Sequence, residues 1–138
     1  MKQSISGGEA MALAAKANGI KRVFGIPGAQ IYPIFDAFGK HDFEVIAPRH
    51  EQAAAYMAMG AAKSTGKPEA FSVVPGPGVL NGTAAMCTAM GTCAKVLCLT
   101  GQVPSSYLGS GRGHLHELTD QPGKATRPFC DRRLILTS

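Results

Sequence analysis

A carboxylate positioned for proton chemistry stands at Glu51, within Ala47-Pro48-Arg49-His50-Glu51-Gln52-Ala53-Ala54-Ala55-Tyr56-Met57-Ala58. The apolar stretch Phe43, Val45, Ile46 stops at Pro48, and an alanine-rich, helix-favouring segment starts at about His50. The acid therefore falls where a strand hands over to a helix N-terminus, the edge at which open α/β sheets bind ligands. Position alone favours a plainer role, a first-turn acid that complements the helix dipole for about 0.3–1 kcal/mol. A second candidate is the loop Gly76-Pro77-Gly78 with Asn81 behind it. Its glycines permit positive φ and a close backbone approach to a ligand, although a tight strand-to-helix turn uses the same residues. A third is His114-Leu115-His116-Glu117. Its His-x-His spacing suits a metal, but no further ligand cluster accompanies it, so none is expected and surface loop histidines are the alternative.

Two phosphate signatures fail on inspection. The run Gly60-Ala61-Ala62-Lys63-Ser64-Thr65-Gly66-Lys67-Pro68 misses P-loop spacing by one residue, puts Pro68 where Ser or Thr is needed, and ends a helix instead of starting one. The run Gly76-x-Gly78-x-x-x-Gly82 is one residue too long for a dinucleotide fingerprint.

The elements that must position these residues alternate in type. Ser6-Gly7-Gly8-Glu9 has capping-box spacing and opens a helix through Met11, Leu13, Ala14 and Ala17, which Asn18-Gly19 closes in a left-handed cap. Val23 to Ile26 reads as a short buried strand stopped by Pro27-Gly28. Ile31, Ile34, Phe35 and Phe38 repeat at helical spacing up to Gly39. Phe43 to Ile46 is the next strand, followed by a helix from about His50 to Thr65 that Gly66 closes. A third strand spans Ala70 to Val74. A helix from Val79 to about Thr92 follows, weakened by Gly82 and Gly91, and then a strand from Val96 to Thr100. After Gly101 the regularity fades. Such alternation implies a parallel sheet covered on both faces, with right-handed crossovers.

The bulk numbers agree with one globular domain: 138 residues, 45% hydrophobic and 17% charged. No apolar run reaches membrane-span length, and Met1-Lys2-Gln3-Ser4-Ile5-Ser6 lacks the apolar segment of a secretory signal, so a cytoplasmic protein is expected. Cys87, Cys93, Cys98 and Cys130 form no Cys-x-x-Cys pair, and the apolar context of the first three predicts buried, reduced thiols. The net charge of +5 does not point to nucleic acid. Basic residues are scattered until Lys124, Arg127, Arg132 and Arg133, no aromatics interleave with them, and Trp is absent.

Five segments, taken in order, resemble one family. They are Gly25-Ile26-Pro27-Gly28, Pro48-Arg49-His50-Glu51-Gln52-Ala53-Ala54, Gly60-x-x-Lys63-x-x-Gly66-Lys67-Pro68, Gly76-Pro77-Gly78-x-x-Asn81-Gly82 and Leu99-Thr100-Gly101-Gln102-Val103-Pro104. Their order and spacing are similar to the pyrimidine-binding (PYR) domain of thiamine diphosphate enzymes of the acetolactate synthase and pyruvate decarboxylase type. The Pro-Arg-His-Glu and Thr-Gly-Gln-Val-Pro runs favour the acetolactate synthase side. The resemblance covers a domain of residues 1–121 and implies a three-layer α/β/α fold around a mostly parallel sheet. It implies that Glu51 hydrogen-bonds N1′ of the cofactor's aminopyrimidine, favouring the imino tautomer that deprotonates C2 of the thiazolium for attack on a 2-oxo acid. It further implies that Gly25, Ile26, Pro27 and Gly28 line the site near the pyrimidine. Gly76, Pro77, Gly78 and Asn81 would lie against the ring or a partner subunit, and Gln102, His114 and His116 on the substrate side.

The chain also departs from the family pattern. Lys95 stands where a proline is usual before the fourth strand, which suits a snorkelling lysine. The likeness stops at Thr119-Asp120-Gln121, and residues 122–138 read as an atypical tail of the kind a frame change or early stop would leave. No Gly-Asp-Gly motif is present to hold the diphosphate and its Mg²⁺, and the FAD-holding central domain of some relatives has no counterpart. The expectation is therefore half of a thiamine diphosphate site, completed by a separate diphosphate-binding (PP) subunit. The alternative is a non-catalytic truncated fragment that folds and self-associates; a small phosphate-binding module is a third reading. An apolar face left by absent domains predicts a homo-oligomer.

Overall fold

The computed structural model describes residues 4–107. Helix α1 (Gly7–Ala17) is followed by strand β1 (Arg22–Gly25), a 3-10 turn (Ala29–Ile31), helix α2 (Tyr32–Lys40) and strand β2 (Glu44–Ile46). Helix α3 (Glu51–Thr65), strand β3 (Glu69–Ser72), helix α4 (Pro77–Gly91) and strand β4 (Val96–Leu99) complete the regular part, with a last 3-10 turn at Ser105–Tyr107.

Local chemistry accounts for most of the boundaries. Ser6 Oγ accepts the Glu9 amide at 3.1 Å, as the capping box requires, but the Glu9 carboxylate does not return to Ser6. It faces His41 Nε2 at 3.3 Å and ties α1 to the end of α2, so only half of the box forms. At the other end Gly19 takes φ +82, with its amide on Lys16 O and the Ile20 amide on Ala15 O, the two bonds of a Schellman closure. Gly66 closes α3 at φ 70 with its amide on Ala62 O. Helix α2 departs from expectation: it passes Gly39 and ends at Lys40. Asp42 (φ 57) makes the reversal instead, a residue whose short polar side chain tolerates the left-handed region.

The sheet order is β2-β1-β3-β4 and every pairing is parallel. Alternate strand residues feed two cores. Val23, Ala70 and Leu99 join Met11, Ala15, Ile34 and Phe38 beneath α1 and α2. Phe24 and Phe71 join Ala54, Ala58, Val79 and Met86 beneath α3 and α4. The result is the three-layer α/β/α arrangement that the resemblance implies. Small residues set its thickness on the second face. The buried positions of α3 are Ala54, Ala55, Ala58 and Ala62. A Cβ on Gly82 would lie 3.3 Å from Phe71 Cε2. Gly82 thus gives up intrinsic helicity so that α4 can seat on the central strand.

At the amino edge Arg22 Nη2 reaches Glu69 Oε1 at 3.4 Å, and its Nε lies 3.8 Å from Glu44 Oε2. The Glu69 side chain is 7% exposed and that of Arg22 34%. Glu69→Ala would leave the guanidinium with only a distant acid, softened by the water that reaches it. A loss of about 1–3 kcal/mol in urea denaturation is expected, and an unchanged midpoint would show the pair to be inert.

One cysteine expectation fails. Cys87 and Cys93 are exposed and Cys98 is half-buried. Helix α4 is apolar on its outward side as well as its inward one, so apolar neighbours do not distinguish core from surface there. Cys130 lies outside the described residues. Among the described residues, no helix is long and apolar enough to cross a membrane.

Candidate active site

The strand order creates a crevice. From β1 the chain moves outward to β2, then returns through α3 to place β3 on the other side of β1. Loops leaving β1 and β3 therefore diverge at the carboxyl edge, which is where such sheets hold ligands. The segments singled out in the sequence meet this edge: Gly25–Gly28 after β1, Glu51 at the head of the α3 crossover, Gly76–Asn81 after β3, and Gly101-Gln102 after β4.

Glu51 is the first residue of α3, and it is half-buried. His50 before it is extended (φ −151, ψ 142) and caps the helix, its Nδ1 accepting the Gln52 amide at 3.2 Å. The carboxylate is not left to the helix dipole alone. Asn81 Nδ2 donates to Glu51 Oε2 at 3.0 Å, across 30 residues of sequence. Among the described residues no hydrogen bond engages Oε1. One oxygen is therefore fixed and the other is open to a donor from outside. N1′ of an aminopyrimidine is such a donor in its protonated or imino form, so the residues present fit that part of thiamine diphosphate.

The glycines at this edge have a structural cause of their own. Gly76 adopts φ 66, ψ −118, a conformation closed to L side chains, and starts α4 with Pro77 in its first turn. A Cβ on Gly28 would run into Val74 Cγ1, and one on Gly78 would lie 2.7 Å from Val74 Cγ2. Val74 is thus clasped between the β1 and β3 loops, a residue that sequence reasoning did not single out. Its only sequence signal is its place beside the Pro-Gly turn. Gly25 backs directly on Ser72 O, which also accepts the Ile26 amide at 3.2 Å. Pro27 is exposed at the rim. Ser72 Oγ and Thr100 Oγ1 are buried without a hydrogen-bond partner among the described residues.

The structure brings Glu51 and Asn81 into contact and sets both glycine loops around Val74. It does not recruit Gln102 in the same way: the Gln102 Oε1 accepts the amide of Val103 at 2.9 Å, and Gly101 packs on Gln30 O. His114, His116 and the 122–138 tail lie outside the described residues. Lys95 is exposed and reaches back to Gly66 O at 3.2 Å, next to Lys63, which donates to Thr92 O at 3.0 Å. These lysines flank a shallow cleft of about 200 Å³ at the far end of α3. That end lies some ~22 Å from Glu51, the rise of a 15-residue helix, so the cleft is no part of this site. Among the described residues no three His, Cys, Asp or Glu side chains gather as a metal site.

The chain is 43% identical over 108 residues to the mitochondrial acetolactate synthase catalytic subunit of Aspergillus candidus, covering 76% of this chain and 15% of that protein. It is 39% identical over 106 residues to the probable acetolactate synthase large subunit of Methanocaldococcus jannaschii, covering 77% and 18%. A probable 2-ketoarginine decarboxylase of Pseudomonas aeruginosa is 33% identical over 120 residues, covering 87% and 22%. The chain thus spans about a fifth of the length of these relatives, or less. Residues 5–123 match the thiamine pyrophosphate enzyme N-terminal TPP-binding domain, and the chain belongs to that family.

Proposed function

We propose that this domain supplies the pyrimidine-binding half of an acetolactate-synthase-like or 2-oxo acid decarboxylating enzyme, with Glu51 as the residue that activates thiamine diphosphate. The observation that supports the reading is the half-used carboxylate: Oε2 held by Asn81, Oε1 open at the switch-point crevice. When bound, the cofactor supplies the carbanion chemistry on a 2-oxo acid. The work of this chain is narrower. Glu51 shares a proton with N1′ of the aminopyrimidine. Asn81 keeps the carboxylate from swinging away, and the loops joined by Val74 form a firm wall near the ring.

In this reading the diphosphate and Mg²⁺ belong to a region outside residues 4–107, and the cofactor binds where two regions meet. FAD, if the assembled enzyme uses it, also lies elsewhere. The predominance of acetolactate synthases among the relatives supports carboligation as the reaction; the decarboxylase relative supports the shared first step. A cytoplasmic location is part of the proposal.

Calorimetric titration of the 138-residue chain with thiamine diphosphate and Mg²⁺ tests it, alone and mixed with a PP domain from the same genome. Binding together with pyruvate turnover in the mixture is the expected result. No heat and no turnover in either case would remove the reading.

A further inference from the structure

The far ends of α3 and α4 meet at the shallow cleft of about 200 Å³, whose lining includes Cys93 between Lys63 and Lys95. The thiol stands where a glycine is usual. Helix α4 closes as α1 does, with the Cys93 amide on Met90 O and the Ala94 amide on Ala89 O, the two bonds of a Schellman motif. That closure needs a left-handed residue; Gly19 supplies it for α1, and Cys93 supplies it here at φ 52. Cys93 is exposed and in no disulfide. Two ammonium groups flank it. Lys63 Nζ donates to O of Thr92, the residue before Cys93, at 3.0 Å, and Lys95 Nζ donates to Gly66 O at 3.2 Å. Each lysine spends one donor in this way and keeps two for an anion. Together they outweigh the roughly half a negative charge that each helix end contributes. The neighbouring acid, Glu69, directs its carboxylate to Arg22 instead, and the exposed Lys67 follows Gly66 directly.

We infer that Cys93 is a site of thiol–disulfide exchange with a small anionic disulfide of the oxidised-glutathione kind, whose carboxylates Lys63 and Lys95 hold beside the thiol. The Cys93 thiol gives up its proton, and its sulfur attacks one sulfur of the disulfide. A new S–S bond to that arm forms as the old one breaks. The other arm leaves as a thiolate and takes up a proton. The protein sulfur is oxidised and the departing sulfur reduced, so the disulfide itself is the oxidant and no other is needed. Cys87 supplies the contrast. It is exposed too, but it sits on α4, which carries no charge over its fifteen residues. A thiol in reach of solvent is common to both positions; the pair of cations belongs to Cys93. The cleft lies the length of α3 away from Glu51, and the exchange does not depend on the cofactor reading.

Timed exposure of the full chain to oxidised glutathione, with each cysteine followed by peptide mapping and mass spectrometry, tests the proposal. Cystamine, a disulfide whose arms end in ammonium groups, is the probe of opposite charge. The quantity read is the rate at Cys93 divided by the rate at Cys87. Comparing that ratio between the two disulfides cancels the intrinsic reactivity and accessibility of the thiols. It is expected to be roughly tenfold or more higher with oxidised glutathione than with cystamine, the effect of a cationic cleft on an anionic reagent. Lys63→Gln combined with Lys95→Gln is expected to bring the two ratios together, with circular dichroism confirming that the double variant is folded. Equal ratios in the unmodified sequence would overturn the proposal without recourse to any variant. So would a Cys93 that oxidised glutathione leaves unmodified, or a preference that survives in the folded double variant.

Discussion

Glu51→Gln, placed in an enzyme assembled around this domain, should lower cofactor-dependent turnover by about 10²–10⁴-fold, the range that a positioned acid–base group contributes. The substitution is chosen to remove one property. Glutamine has the volume of glutamate, and its carbonyl can still take the hydrogen bond from Asn81 that now falls on Oε2 at 3.0 Å. What it cannot do is gain and lose a proton at the open oxygen. Because Glu51 sits at the head of α3 with His50 as the cap, the helix should start unchanged, and thermal unfolding should move little. Steady-state turnover of a 2-oxo acid, with cofactor binding measured alongside, separates the outcomes. Binding kept and turnover lost supports a proton-relay role; turnover kept within a factor of a few would end it.

The largest effect on stability should come from Phe71→Ala. Phe71 is fully buried on the central strand β3, paired in register with Phe24 on one side and Cys98 on the other. Its ring faces Gly82, which has no side chain with which to refill the space, and the neighbouring Ala55 offers only a methyl group. The cavity can therefore close only by moving α4 as a body. A cost of about 3–5 kcal/mol is expected, a large part of the roughly 5–15 kcal/mol that holds a domain together. Urea denaturation measures it directly. A loss below about 1 kcal/mol would mean that the helices slide freely over the sheet, and the packing described here would be wrong.

Much of this architecture is legible in the residues because the local rules agree with one another. Gly19 and Gly66 mark helix ends where the left-handed region is needed, and the start of α3 falls at His50-Glu51. The short strands are betrayed by apolar runs between Pro and Gly. The misses have physical causes. Gly39 looks like a stop, but an exposed glycine within a well-packed amphipathic helix is tolerated, and Asp42 makes the turn. Cys87 looks buried because α4 has little polar side for periodicity to read, and Cys93 because it falls between two apolar elements although it sits in the exposed turn beyond the helix, at φ 52. The site is legible in part. Glu51 and Asn81 stand out separately, but their hydrogen bond spans two crossovers and has no signature in spacing. Val74 is invisible for a different reason: its role is to fill the gap that two glycines leave, and a valine at a strand end is unremarkable until both loops are in place.

The composition of the core beneath α1 and α2 bears on how the chain is made. That core is not finished by the elements that begin it, since Ala70 of β3 and Leu99 of β4 close it from the second half of the sequence. Strand β1, which emerges early, is an interior strand whose second neighbour is β3. Of the strand residues beneath Phe38, Ile34 and Met11, the elements up to β2 supply only Val23, and one edge of β1 stays unpaired until β3 is in place. Because Ala70 and Leu99 complete a core begun by α1 and α2, amides on all four strands are expected to open together in hydrogen exchange as a single cooperative unit.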